Sequence, residues 1–92
     1  MHPRLSRLRY RAWRRGFLEA DLVLGPFADE HVERLGDSDL DDFERLLDQT
    51  DHDIYAWITE QTPPPAAFDN ALLAQIRAFR FRAHAARAGR GA

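Results

Sequence analysis

The sequence has 92 residues, which is enough for one domain with a small hydrophobic core. It contains no cysteine, so a disulfide framework, a thiolate metal site and a cysteine nucleophile are excluded. The net charge of −2 conceals an asymmetry. Residues 1–15 carry six arginines and no acid, residues 16–69 carry all fifteen acids, and residues 70–92 carry five arginines and no acid. Two basic ends therefore flank an acidic middle.

The first half of the sequence predicts three short helices, over about residues 4–13, 17–24 and 27–35. The first follows an apolar stripe of Leu5, Leu8 and Ala12. The second has an apolar face of Leu18, Leu22 and Val23, and the third one of Phe27, Val32 and Leu35. Gly25-Pro26 predicts a break or kink between them, because proline lacks a backbone donor and restricts the residue before it.

The second half predicts three further helices. One begins at Ser38 as its cap and ends near Gln49, one begins at Asp51 and stops before the prolines at 63–65, and the last covers about 67–87. Their expected core residues are Leu40, Phe43, Leu46, Leu47, Ile54, Tyr55, Trp57, Ile58, Phe68, Leu72, Leu73, Ile76 and Phe79. No segment alternates with a period of two. The sequence predicts an all-α fold, a small bundle of about five helices over residues 1–88 with a flexible tail at 89–92.

Residue types that carry chemistry are scattered. No histidine is paired with another at i+3 or i+4, and neither serine lies in a nucleophile elbow. The acidic run from Asp37 to Asp48 does not fit a calcium-binding loop. We therefore expect no catalytic residues and no metal site, and no apolar run reaches the roughly 20 residues of a membrane span.

The basic ends leave a nucleic-acid-binding alternative open. Arg4, Arg7, Arg11 and Arg14 fall on one face of the first helix, and Arg77, Arg80, His84 and Arg87 repeat that spacing in the last. Such faces can follow phosphates, but the acidic middle would repel a polyanion. We expect the arginines to offset the acidic helices within the fold, and no nucleic acid as partner. A toxin-neutralising protein is a further alternative for a small helical chain.

The segment between the first two helices is less easily explained by local structure. Gly16 follows Arg14 and Arg15 and precedes the carboxylates of Glu19 and Asp21. Glycine permits a positive φ and lets another backbone approach closely. Arg15 and Glu19 offer a donor and an acceptor four residues apart, which is either a local ion pair or a contact site. Phe17 and Leu18 are interpreted as core rather than interface.

Arg15-Gly16-x-x-Glu19 resembles the signature of the succinate dehydrogenase flavinylation factors, also called the succinate dehydrogenase assembly factor 2 or FAD assembly factor family. Three further segments are similar to that family in order and spacing: Leu22–Phe27, Phe43–Leu47 and Asp51–Ile58. The resemblance covers roughly residues 7–85. The prolines at 63–65 and the Arg/Ala-rich tail depart from the family and put the position of the last helix in doubt.

The resemblance implies a small helical chaperone that is not an enzyme and has no cofactor of its own. Such a protein binds the flavoprotein subunit of succinate dehydrogenase or fumarate reductase and promotes covalent attachment of FAD to a histidine of that subunit. It implies a partner-binding site of Arg14, Arg15, Gly16, Glu19 and Asp21. We further expect a monomer when free. Because the motif begins only fifteen residues into the sequence, we expect a bacterial, cytoplasmic member of the family.

Overall fold

The computed structural model describes the backbone of residues 3–91 and the side chains of residues 3–83. Over this range the chain forms five α-helices and no strand: α1 (Pro3–Trp13), α2 (Leu18–His31), α3 (Asp37–Leu47), α4 (Asp51–Ile58) and α5 (Ala71–Gly91). Short 3₁₀ turns cover Val32–Arg34 and Ala66–Phe68. The predicted all-α bundle of about five helices is confirmed.

The core lies where α2, α3 and α5 meet, and Phe27 is at its centre. The Phe27 ring contacts Phe43 at 5.7 Å and Phe79 at 5.8 Å between centroids, both edge to face. α1 covers one side of this cluster with Leu8 and Ala12. On the other side Trp57 of α4 stacks on Phe68 at 5.2 Å, which fixes the chain after the prolines at 63–65.

The prediction of a break at Gly25-Pro26 is wrong, because α2 runs without interruption through both residues. Proline inside a helix removes one backbone donor and costs about 3 kcal/mol. The loss is offset because Leu24 and Phe27, on either side of the dipeptide, are both fully buried. Each such side chain contributes about 1.5–3 kcal/mol by leaving water. A break would take one of them out of the core.

The predicted helix starts are partly wrong. α3 begins at Asp37 with Gly36 as its N-cap, so Ser38 lies inside the first turn and does not cap the helix. Asp51 does begin α4, and the Oγ1 atom of the preceding Thr50 accepts a hydrogen bond from the Asp53 amide at 3.3 Å. Asn70 caps the last helix in the same way, since its Oδ1 atom accepts from the Leu73 amide at 3.0 Å.

The last helix is therefore shifted along the sequence relative to its predicted span. It begins at Ala71 and its backbone continues to Gly91, past the predicted end near residue 87. The side chains of His84 and Arg87, which the sequence placed on a basic face, lie outside the described residues. The division into a domain over 1–88 and a flexible tail over 89–92 stays a prediction, and Ala92 is likewise outside the described range.

Candidate partner-binding site

The connection between α1 and α2 is a tight turn that favours glycine at position 16. Gly16 has φ +80°, a left-handed conformation that residues with a side chain rarely adopt. A Cβ atom built there would meet nothing within 4 Å, so the space above the turn is open. Gly16 thus adopts the positive φ that glycine permits, and the backbone of this turn can be approached from outside.

The side chain of Arg15 points inward from the same turn and is only 10% exposed. Its Nε atom donates to Asp51 Oδ1 at 2.7 Å, Nη1 donates to the Leu47 carbonyl at 2.6 Å, and Nη2 donates to the Gln49 carbonyl at 2.9 Å. Helices leave their last carbonyl groups without intrahelical donors, and the guanidinium supplies donors at the end of α3. All three nitrogens of Arg15 are therefore engaged within the fold.

Asp21 supports the turn from the other side. Its Oδ1 atom accepts a hydrogen bond from the Arg15 amide at 2.8 Å. The Asp21 amide in turn donates to the Phe17 carbonyl at 3.0 Å, which closes the first turn of α2. Arg15 pairs with Asp51 and not with Glu19, so the local ion pair considered from the sequence does not form. Arg15 and Asp21 thus hold the turn in shape.

Arg14 and Glu19 are exposed on either side of Gly16. The Arg14 guanidinium lies over the Tyr10 ring, 4.6 Å from its centroid. Glu19 borders a cleft of about 160 Å³ between α2, α4 and α5, with Leu22, Tyr55 and Arg80 among the other lining residues. Of the five residues predicted for the site, Arg14, Gly16 and Glu19 face solvent, while Arg15 and Asp21 position the turn that presents them.

The chain between α3 and α4 forms a second wall of the site, which the sequence did not predict. An open groove of about 620 Å³ lies between the turn and this connection, and it is lined by Arg14, Arg15, Gly16, Phe17, Gln49, Thr50, Asp51 and His52. The Phe17 ring contacts the His52 ring at 5.0 Å and the Tyr55 ring at 5.3 Å. Asp51 was noted in the sequence as part of a family pattern, but nothing in the sequence linked it to Arg15.

Phe17 and Leu18 have different surroundings. Phe17 is half-buried and packs against the core, in agreement with the prediction. The interpretation of Leu18 as core is wrong, because the residue is 65% exposed. Leu22, also expected on the apolar face of its helix, is 48% exposed. α2 turns Val23 into the core instead, so both leucines lie on the outer side.

The arginines near the N-terminus are largely paired with the acidic middle, as expected. Arg4 donates to Asp41 at 2.5 Å, Arg11 to Asp48 at 2.6 Å, and Arg9 lies 3.3 Å from Glu33. The hydrogen bond to Asp41 raises the pKa of Arg4 above its ordinary value. Because these cations are used within the fold, they are poor candidates for following a phosphate backbone, and the nucleic-acid alternative loses much of its basis.

Two kinds of site are not found in the part of the chain that the structure describes. No group of three or more histidine and carboxylate side chains is placed to hold a metal ion. No helix there is long and apolar enough to cross a bilayer.

The fold is a small helical bundle in which Arg15 and Asp21 support an open turn at Gly16. Comparison with known families then identifies the family to which the chain belongs. The chain belongs to the family described as flavinator of succinate dehydrogenase, whose model matches residues 6–80. The match runs from residue 6 in α1 through the Gly16 turn, α2, α3 and α4 to about the midpoint of α5, and it confirms the resemblance noted from the sequence.

Curated relatives carry a related description. The chain is 46% identical over 63 residues to a protein of Mycosarcoma maydis, which covers 68% of this chain and 26% of that protein. It is 48% identical over 63 residues to one of Meyerozyma guilliermondii, covering 65% of this chain and 47% of that protein. Both are called succinate dehydrogenase assembly factor 2, mitochondrial. The chain thus spans about a quarter to a half of the length of these relatives.

The expected location is contradicted by the same comparisons. A bacterial, cytoplasmic protein was expected, whereas these relatives and a third from Scheffersomyces stipitis, 41% identical over 68 residues, are mitochondrial proteins of fungi. The expectation rested on the position of the motif near the start of the sequence. It is wrong because the relatives that the chain matches are described as mitochondrial.

Proposed function

We propose that this chain is an assembly factor that binds the flavoprotein subunit of succinate dehydrogenase, or of fumarate reductase, and promotes covalent attachment of FAD to it. The observation that carries the proposal is the exposed Gly16 turn, which lies inside the region matched by the flavinator family. Arg14 and Glu19 stand beside it in solvent, and Arg15 fixes its shape. These features suit a surface that another protein approaches closely.

The proposed mechanism needs no chemistry from this chain. Flavinylation is a reaction of the flavin with a histidine of the client, and the outcome depends on holding the two in reacting geometry. A helper protein achieves this by binding one conformation of the client more tightly than the others, which shifts the population toward that conformation. A rigid turn serves this role well, because little conformational entropy is lost when the complex forms.

The proposal therefore assigns no catalytic residue and no cofactor to this chain. The FAD belongs to the client. We also propose that the chain is a monomer before it binds its client, so that the surface around Gly16 is available. Carboxylates or carbonyls of the client are suitable partners for the Arg14 guanidinium, and cationic or N–H donors are suitable partners for Glu19.

The proposal is tested by reconstitution with purified components. The flavoprotein subunit, free of covalent flavin, is incubated with FAD in the presence and absence of this chain, and covalent flavin is read by in-gel fluorescence after denaturation. We expect a faster rate and a higher yield when the chain is present. Equal rates with and without it, for the succinate dehydrogenase and fumarate reductase subunits alike, would contradict the proposed function.

A further inference from the structure

Three consecutive residues at the end of α3 are all bound by arginines of α1 and of the turn that follows it. The Leu47 and Gln49 carbonyl groups accept hydrogen bonds from the Arg15 guanidinium at 2.6 and 2.9 Å. The carboxylate of Asp48, which lies between them in the sequence, accepts a hydrogen bond from Arg11 Nη2 at 2.6 Å. Two arginines four positions apart therefore bind the same short segment, one through its backbone and one through its side chain.

A second ion pair repeats the Arg11–Asp48 contact nearer the start of both helices. Arg4 Nη2 donates to Asp41 Oδ1 at 2.5 Å. Each pair joins residues that are 37 positions apart in the sequence, so the spacing between the two arginines equals the spacing between the two aspartates. That spacing is close to two turns of an α-helix. α1 and α3 therefore run parallel, and their charged residues are in register.

These ion pairs affect the position of α1 more than the stability of the fold. The side chains of Arg11 and Asp48 are 35% and 61% exposed, and ion pairs in water contribute little to the free energy of unfolding. α1 is anchored in the core by the buried Leu8 and Ala12. Hydrophobic burial is not directional, whereas two charge pairs at matched spacing are both formed in only one register.

We infer that Arg11 and Asp48 are positioning residues, which act through Arg15 to hold the Gly16 turn in its shape. This inference rests on the proposed function and extends it to a pair outside the five candidate site residues. The pair fixes the last turn of α1 beside the end of α3, and this keeps the Arg15 guanidinium within reach of its three acceptors. A displacement of α1 would separate Arg15 from those acceptors and release the turn.

The test observes the Arg15 guanidinium directly by nuclear magnetic resonance of the full, isotopically labelled chain. A buried and hydrogen-bonded N–H exchanges with water only when its contact opens, so the exchange rate of the Arg15 Nε–H reports that opening. Arg11→Asp places a second carboxylate beside Asp48, and we expect the exchange to become about 5-fold faster or more. The double variant Arg11→Asp/Asp48→Arg restores the pair with its charges reversed and should restore slow exchange.

Two controls separate the ion pair from the charge of α1 as a whole. The described part of the chain shows an ion pair for Arg4, Arg9 and Arg11 of α1 and none for Arg7. Arg7→Asp makes the same change of net charge on the same helix and should leave the exchange rate unchanged. Arg11→Lys keeps the charge and should behave like wild type. Circular dichroism checks the fold, and Arg11→Gln, with a smaller expected acceleration, replaces Arg11→Asp if that variant does not fold.

Covalent flavin on the client gives the second readout, in the reconstitution described above. We expect slower flavinylation with Arg11→Asp and the wild-type rate with both the charge-reversed double variant and Arg7→Asp. Unchanged Arg15 exchange in Arg11→Asp would overturn the inference and leave the proposed function standing. Fast exchange that the charge reversal does not slow would also overturn it, because Arg11 would then act through a group other than Asp48. If the wild-type chain did not promote flavinylation, the proposed function would be contradicted, and the exchange rates would still decide whether the pair positions Arg15.

Discussion

Arg15 Nε and Asp51 Oδ1 lie 2.7 Å apart and join the α1–α2 turn to the first residue of α4. The two residues are 36 positions apart in the sequence, and both are largely buried. The same guanidinium bonds two carbonyl groups at the end of α3. The shape of the Gly16 turn therefore depends on the connection between α3 and α4, and Arg15 supports the candidate site from inside the fold.

Arg15→Lys should destabilise the fold. A lysine ammonium is a single point of charge and cannot reach Asp51 and two carbonyls at once, so buried acceptors lose their donors. We expect a loss of about 2–4 kcal/mol in the free energy of unfolding, measured by urea denaturation. Arg11→Lys is the matched control, because its pair with Asp48 is exposed and should change stability by less than about 1 kcal/mol. Unchanged stability combined with lost flavinylation would instead mean that Arg15 contacts the partner directly.

Gly16→Arg should block association with the flavoprotein while leaving the bundle folded. The left-handed backbone costs a residue with a side chain about 1–2 kcal/mol, but the open space above the turn lets the fold survive. Gly16→Asn is the matched control, since asparagine tolerates this conformation and is small. Thermal unfolding by circular dichroism reports the fold, and calorimetry reports the binding. Equal affinity of the Arg variant and the wild type would show that no partner approaches this turn.

Glu19→Ala should weaken binding without affecting stability, because Glu19 is exposed and at the edge of the cleft beside α5. A charge-assisted contact in an interface contributes about 1.5–3 kcal/mol, which corresponds to about 10- to 150-fold in affinity. The measurement is covalent flavin by in-gel fluorescence in a strain that lacks any other copy of the factor. Glu30→Ala, another exposed glutamate of the same helix, should behave as wild type. Wild-type flavin levels in both variants would remove Glu19 from the site.

Gly25→Ala should displace the Trp13 ring. The added methyl group occupies the space of the indole, which breaks its packing and its hydrogen bond to Asp29. We expect a loss of about 1–3 kcal/mol in stability and a shift of Trp13 fluorescence to longer wavelength, read in a Trp57→Phe background. Gly36→Ala is the control, since a Cβ there meets nothing within 4 Å. An unshifted Trp13 emission in the Gly25 variant would mean that the indole does not lie on this glycine.

Trp57→Ala and Leu46→Ala should each cost about 2–5 kcal/mol in unfolding free energy, because both side chains are buried and their removal leaves cavities. Chemical denaturation with far-ultraviolet circular dichroism provides the measurement. The exposed Leu18→Ala should cost far less. If both core variants kept full stability, the helix faces assigned here would be incorrect.

The sequence predicted the buried faces of α3, α4 and α5 correctly except at Tyr55, which is half-buried, because the hydrophobic residues recur at helical spacing. It failed on α2, where Leu18, Leu22, Val23 and Leu24 are all apolar and no single face stands out. The break expected at Gly25-Pro26 was also wrong. The tendency of glycine and proline to break a helix was outweighed by the burial of the residues on both sides of the pair. That burial depends on the tertiary structure, so no local sequence pattern reveals it.

The five candidate site residues were proposed from the sequence alone. A glycine between two helices with opposite charges around it, and a family pattern of matching order, are both properties of adjacent residues. The sequence did not show which of these residues support the turn and which are exposed. Arg15 looks as available as Arg14 when only its neighbours are known, and its three acceptors come from residues 47–51. Hydrogen bonds between distant segments exist only once the core has brought those segments together. The sequence therefore determined which residues form the turn, and the tertiary structure decided which of them support it and which are exposed to solvent.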